Sequence, residues 1–170
     1  HQSHVTGRVH SSILLLHLVP QAAFVAGIGA LSWSPAGDIV AVGTGAEVNL
    51  LDAIGLHLLA TLAGEDRSDP VTAIAFGDGG ALLASASGGT LRIWNTVTLE
   101  MEVVIELGAP IHEVEFSADL LAVAAGNVVR IWRIGSWSAA WRLIDEIGLR
   151  SLALRSERLL VTGRADGRLH

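Results

Sequence analysis

The sequence predicts an all-β protein made of a series of small antiparallel sheets, each with four strands. Two observations support this prediction. The same order of features recurs about every 40 residues, and within each recurrence short runs of alternating apolar residues are separated by turn residues. The stretch "ASASGGTLRIWN", which starts at Ala84, contains a small-residue run, a Gly-Gly turn and an alternating run that ends in Trp-Asn. Alternation with a period of two indicates strands with one buried face.

Four segments of the chain carry the repeated order, and they begin at Ile28, Val71, Ile111 and Leu149. Bulky residues at the equivalent position of each segment are 43, 40 and 38 residues apart: Trp33, Phe76, Phe116 and Leu154. A further match joins "HVTGRVHSSIL" near the start to "LVTGRADGRLH" at the end, with an offset of 156 residues, or four periods of 39. Four antiparallel strands in about 40 residues, repeated along a chain, are the sequence signature of β-propeller blades.

Each repeat contains four predicted strands, which in the second segment span residues 71–76, 81–87, 90–95 and 100–107. The first strand of that segment places Ile74 and Phe76 on one face and Ala73 and Ala75 on the other. Stacked sheets interdigitate at close range when large residues face small ones. The stretch "WSAAWRLIDEIG" also has apolar residues at helical spacing, but its register in the repeat predicts an outer strand.

These repeats predict one propeller domain with the following parts. Residues 1–26 form incomplete N-terminal blade strands, residues 27–63, 64–107 and 108–147 form blades, and residues 148–170 form an incomplete C-terminal blade. The apolar run at residues 13–31 is long enough for a membrane span, and residues 8–27 resemble a signal peptide, but the repeat and its turn residues favour strands there. We therefore expect a cytoplasmic protein that does not bind membranes.

Composition argues against several classes of function. The chain of 170 residues has a net charge of −6, which argues against binding duplex nucleic acid because such proteins need a basic face. It contains no Cys, and this excludes disulfides, thiolate metal sites and a Cys nucleophile. The sequence contains no nucleotide-binding glycine loop before a helix and no G-x-S-x-G elbow. We expect no catalytic residues, no cofactor and no bound metal.

The ends of the third predicted strands resemble the WD-repeat β-propeller family, whose repeats open near Gly-His and close with Trp-Asp. The residues at the closing position are Leu51-Asp52, Trp94-Asn95 and Trp132-Arg133. The residues at the family's Gly position are Gly64, Gly108 and Gly148, none of which is followed by His. The family's buried His–Ser/Thr–Trp–Asp hydrogen-bond network is therefore complete in no repeat, and apolar packing is expected to hold the blades together.

The resemblance implies a non-catalytic scaffold that binds other proteins, alone or as a subunit of a larger assembly. The alternative is a ligand-binding or hydrolytic propeller, as in lactonase-like families, with a polar site on the central axis. Propellers of the WD-repeat family usually close with seven or eight blades, whereas 170 residues correspond to a little over four. Either the chain is part of a longer propeller, or two copies join into a ring of about eight blades. A closed ring of four blades ranks last.

The candidate partner-binding residues lie in the charged loop "GEDRSDP", at the start of an inner strand and on an outer segment. They are Glu65, Asp66, Arg67, Asp69, His112, Trp137 and Trp141. Loops on a rigid scaffold often carry recognition, and aromatic residues are enriched at interface hot spots. The alternatives are a solvated turn for the loop and packing of the blade edge for the two Trp residues.

Glu113 and Glu115 form a candidate polar site on the axis, because they occupy the face on which other first strands carry small residues. A cation or a polar ligand is one interpretation of this pair. The alternative is pairing with Arg92 or Arg130, since buried carboxylates need partners.

Overall fold

The computed structural model describes residues 23–65, 68–144, 148–156 and 159–169, and this part of the chain is built from β-strands and turns, with a short 3-10 helix at Asp78–Gly80. Most of the predicted N-terminal blade, residues 1–22, lies outside the described residues. The described strands, in chain order, are β1 (Ile28–Trp33), β2 (Ile39–Thr44), β3 (Glu47–Asp52), β4 (Leu58–Ala63), β5 (Val71–Gly77), β6 (Leu82–Ser87), β7 (Thr90–Asn95), β8 (Met101–Glu106), β9 (Ile111–Ser117), β10 (Leu120–Ala125), β11 (Val128–Arg133), β12 (Ser138–Ile144), β13 (Leu149–Ser156) and β14 (Leu159–Arg164).

The strands pair in sequence order into antiparallel sheets. β1–β4, β5–β8 and β9–β12 form the first, second and third sheets, with four strands each, and β13–β14 form a last sheet with two. The four strands predicted for the second segment match β5–β8 to within a residue or two at each end. The segment that could also have been helical is a strand, β12, which pairs with β11 from Val128↔Ile144 to Arg133↔Ser138. The prediction of four-stranded antiparallel blades is thus confirmed.

A two-residue turn joins the second strand to the third in each four-stranded sheet. Its first residue is a glycine with positive φ: 52° at Gly45, 56° at Gly88 and 56° at Gly126. Two-residue hairpin turns require positive φ at this position, which costs glycine little because it lacks a Cβ. The recurring small-residue turn of the sequence is therefore the tip of each central hairpin.

The sheets stack with bulky residues against small ones, as predicted. The large residues of each first strand face the preceding sheet: Ile74 and Phe76, Val114 and Phe116, Leu152 and Leu154. Small residues of that preceding sheet contribute to the same clusters, such as Ala41 against β5 and Ala84 against β9. Close packing of this kind buries these side chains, because each of these three clusters joins two neighbouring sheets.

Buried polar side chains inside the sheets are hydrogen-bonded across strands. The Trp94 Nε1 donates to Ser85 Oγ over 2.8 Å, and both residues are buried. In the first sheet, Asn49 Nδ2 donates to Thr44 Oγ1 over 2.8 Å, and Thr61 Oγ1 donates to Asn49 Oδ1 over 2.8 Å. The second repeat therefore keeps the Ser–Trp part of the hydrogen-bond network that the sequence predicted to be incomplete.

Candidate functional site

The described residues at the two ends of the charged loop between β4 and β5 are held in place by contacts with the second sheet. Glu65 and Asp69 are exposed, and Asp66 and Arg67 lie outside the described residues. The Asp69 carbonyl accepts a hydrogen bond from Ser87 Oγ over 2.5 Å, which ties the loop to the central hairpin of the second sheet. At the other end, Gly64 is buried against the side chain of Arg92. Fixed loop ends that carry exposed charged side chains lower the entropic cost of recognition.

His112 lies on the same rim of the stack as this loop, namely the rim at which the first strands β5 and β9 begin. It is the second residue of β9 and is half-buried. Thr72 Oγ1, at the start of β5, approaches the Ile111 carbonyl to 3.4 Å, so the first residues of the two inner strands lie side by side. The structure therefore brings Glu65, Asp69 and His112 to one rim, although they are far apart in sequence.

The two candidate Trp residues occupy different environments. Trp137 precedes β12 with a φ of 50° and packs against the hydrophobic core between the second and third sheets. Trp141, in contrast, lies within β12, where it pairs with Ile131 and is exposed. Of the two, Trp141 is the aromatic side chain available to a partner on the outer edge, and the contacts of Trp137 are those of edge packing.

Glu113 and Glu115 lie on the side of β9 that faces the last sheet. The Leu154 amide of β13 donates a hydrogen bond to Glu115 Oε2 over 2.7 Å. The partner that the structure gives Glu115 is thus a backbone group of the neighbouring sheet and not the Arg side chain that the sequence suggested. Burial, and in second place the charge of Glu115, raise the pKa of the Glu113 carboxyl above its ordinary value.

Replacing Glu113 with Gln is expected to stabilise the protein at about pH 7 and to have little effect at about pH 4. The raised pKa means that the folded state binds this proton more tightly than the unfolded state, so stability falls as pH rises through that pKa. Urea unfolding of both proteins at both pH values measures the difference. Glu100→Gln makes the same change of side chain at an exposed position and is the matched control. An equal effect of Glu113→Gln at both pH values would contradict this prediction.

In the turn between β3 and β4, the Asp52 carboxylate accepts hydrogen bonds from the following backbone, an arrangement that the sequence analysis did not predict. Asp52 Oδ1 accepts from the Gly55 amide over 2.6 Å, and Asp52 Oδ2 accepts from the His57 amide over 2.7 Å. The hydrogen bond from Gly55, with those from His57, lowers the pKa of the Asp52 carboxyl. Asn95 has a similar role one repeat later, where its Oδ1 accepts from the Val97 and Thr98 amides, each over 3.0 Å. The polar residue that closes the third strand thus shapes the following turn.

Neither a metal centre nor a membrane span is found in the part of the chain that the structure describes. Within residues 23–65, 68–144, 148–156 and 159–169, no three His, Cys, Asp or Glu side chains converge as metal ligands would. The same residues contain no helix of the length and apolar character needed to cross a bilayer.

Stacked four-stranded antiparallel sheets whose loops lie on a common rim define a protein of the β-propeller class. The sequence model of the WD40 family, described as "WD domain, G-beta repeat", matches residues 56–95, a range that ends at Trp94-Asn95. The resemblance to WD-repeat propellers is thereby confirmed. Domains of the WD40 family generally bind other proteins and are generally non-catalytic.

Many solved structures share this fold, including a designed protein and U3-55K. The computationally designed Ika4 protein superposes with a TM-score of 0.77 at 22% identity, over 90% of this chain and 94% of that chain. U3-55K superposes with a TM-score of 0.77 at 21% identity, over 88% of this chain and 47% of that chain. At these identities the likeness concerns the fold alone. A search of curated proteins found no match.

Proposed function

We propose that this chain is a non-catalytic scaffold that binds other proteins through one rim and through the outer edges of its sheets. The observation that carries the proposal is the WD40 repeat at residues 56–95, which includes β4 and the charged loop that follows it. The fixed ends and exposed side chains of that loop support a role in recognition. Rigid display lowers the entropy that a loop loses on binding, so contacts made by the loop contribute more fully to affinity.

The rim surface favours a partner with basic side chains. Glu65 and Asp69 are exposed acidic residues of the loop, Arg150 at the second position of β13 is an exposed basic residue of the same rim, and the whole chain has a net charge of −6. Complementary charge increases the rate of encounter and suppresses wrong partners more than it raises affinity. His112 lies on the same rim and extends this surface towards the third sheet.

The outer edges supply a second, more apolar surface. The outermost strands β8 and β12 expose large apolar side chains: Met101, Val104, Trp141 and Leu143. Each of these strands is hydrogen-bonded on one side only within its sheet, so the other side presents free backbone groups. A partner that contacts this edge would combine backbone pairing with apolar contacts, and Trp141 is the aromatic anchor of the kind found at hot spots.

The polar pair on β9 does not favour a ligand-binding or hydrolytic propeller. Glu115 is engaged by the Leu154 amide, and the raised pKa of Glu113 is explained by its burial and by Glu115. A hydrolytic site would need further groups to converge on these carboxylates. The contacts of this pair support a structural role between the third and last sheets.

Replacing Glu65 with Lys is expected to weaken binding of rim partners by about tenfold, which corresponds to about 1.4 kcal/mol. Tagged wild-type protein and variants would be used for affinity purification from extracts of the source cells, with bound proteins quantified by mass spectrometry. Glu100→Lys is the matched control, because it makes the same charge change at an exposed position outside the loop. Trp141→Asp tests the outer edge in the same assay. Recovery of the same proteins in the same amounts by wild type and all variants would contradict the proposal, as would recovery of none.

A further inference from the structure

The first sheet has an apolar side that faces away from the second sheet, and we call it the front face. It is formed by Leu31 and Trp33 of β1, Val40 and Val42 of β2 and Leu51 of β3, and it surrounds a groove of about 250 Å³. Phe24 and Leu56 of the same chain line this groove as well and pack on the last three of these residues, which are buried, so its exposed part is the side of β1. Leu31 is 62% exposed and Trp33 is 60% exposed. Among the described residues, no other sheet packs across this side.

The equivalent positions in the later sheets are covered. Ile74, Val114 and Leu152 correspond to Leu31 in the repeat, and they are 9%, 3% and 8% exposed. Each is buried because the preceding sheet packs on it. The front face thus has bulky side chains like those of the internal interfaces. Inside this chain, such a surface is covered by a sheet face that carries small side chains.

The last sheet has such a face, with small side chains, on the side that points away from the third sheet, and we call it the rear face. Leu152 and Leu154 of β13 are buried against the third sheet, so the alternating Ser151 and Ala153 point the other way and are exposed. They are the counterparts of Ala73 and Ala75, which belong to the core between the second and third sheets. The front and rear faces are therefore complementary in the way that the internal interfaces are.

We propose that the rear face of a second copy of this chain occupies the front face, so that two copies close one ring through two identical contacts. A front-to-rear contact repeats the bulky-against-small packing of the internal interfaces, whereas a front-to-front contact would oppose two Trp33 side chains that could not interdigitate. Such a head-to-tail contact ends in a closed ring when the rotation between copies closes. The proposal rests on the propeller fold and not on the scaffold function.

The lengths of the similar structures are consistent with this arrangement. The chain spans 47% of U3-55K and 94% of Ika4, so an arc of this extent occurs both as about half of a longer chain and as nearly all of a short one. A second copy would supply the other half. The remaining part of a longer chain is the competing occupant, and the following measurement on this chain alone separates the two.

Light scattering during size exclusion, over a series of concentrations, measures the mass of the folded chain. The expected mass is twice 17.8 kDa for the wild type, and Trp33→Asp and Ala153→Arg should each shift it towards 17.8 kDa at the same concentration. Both positions are exposed in the single chain, so circular dichroism should show folded variants. Trp141→Asp is the matched control, because it places the same charge at an exposed Trp outside both faces, and it should keep the double mass. Glu65→Lys should also keep it, which separates this proposal from the scaffold proposal.

Mixing the two variants gives a sharper test. In a pair made of one Trp33→Asp chain and one Ala153→Arg chain, one contact joins an unchanged front face to an unchanged rear face. The equimolar mixture should therefore recover part of the double mass that neither variant shows alone. A folded wild type of 17.8 kDa would overturn the proposal. A dimer sensitive to Trp33→Asp but not to Ala153→Arg, or an assembly larger than two copies, would overturn it as well.

Discussion

Replacement of Trp94 with Ala is expected to lower the free energy of unfolding by about 3–5 kcal/mol. The side chain is 4% exposed and packs in the core between the first and second sheets. Its removal would leave a cavity and would take away the indole donor of Ser85. Urea unfolding at a fixed protein concentration measures the effect, since self-association would otherwise change the apparent stability.

Two further variants separate packing from hydrogen bonding at this position. Trp94→Phe keeps much of the apolar contact but loses the indole N–H, so it should cost less than Trp94→Ala and more than nothing. Trp141→Ala removes the same side chain from a position that is 44% exposed, and it should cost about 1 kcal/mol or less. Equal losses at Trp94 and Trp141 would show that burial between the sheets does not determine the stability.

Replacement of Gly43 with Val is expected to destabilise the protein by about 1–3 kcal/mol, although Val normally favours strands. A Cβ at Gly43 would lie 2.7 Å from Val71 Cγ1 and 3.1 Å from Ile74 Cδ1. The second sheet would have to move away from the first to admit the new side chain. Thermal unfolding of the variant measures the loss.

Gly27→Val is the control for this crowding effect, because a Cβ there would meet no heavy atom within 4 Å. It should leave the melting temperature nearly unchanged, and Gly43→Ala should fall between the two. If Gly43→Val were as stable as Gly27→Val, the sheets would be less closely packed than the structure shows.

Much of the fold was predictable from the sequence because its signals are local and repeated. Glycine turns such as Gly88-Gly89 mark the tip of each central hairpin, and the alternation in β5 predicts that Ile74 and Phe76 share one face, which in the structure meets the preceding sheet. The register of the repeat also predicted β12 correctly, although the spacing of its Trp residues suits a helix as well. The repeat of about 40 residues was a better guide to the structure of this segment than its own helix propensity.

The candidate site was less predictable because its contacts depend on backbone groups and on register. The partner of Glu115 is an amide hydrogen of Leu154, and a backbone donor leaves no mark in a sequence. A register shift between Ile131 and Trp132 sets how β12 lies against β11, so the different exposures of Trp137 and Trp141 could not be foreseen. Asp52 keeps the Asp of the family's Trp-Asp pair, but the amide hydrogens of the next turn that it accepts are backbone groups, which the sequence pattern does not indicate.

The sheets of this chain contact their sequence neighbours, and this arrangement has a consequence for how such a protein can change. The second and third sheets each depend on the shape of two surfaces, one on either side, and both surfaces follow the same rule of large residues against small ones. Stability in such an array is close to a sum of unit and nearest-neighbour contributions. If one whole sheet is duplicated or lost, the remaining interfaces between neighbouring sheets are still of the same type. Gene duplication can therefore change the number of sheets without requiring a new hydrophobic core.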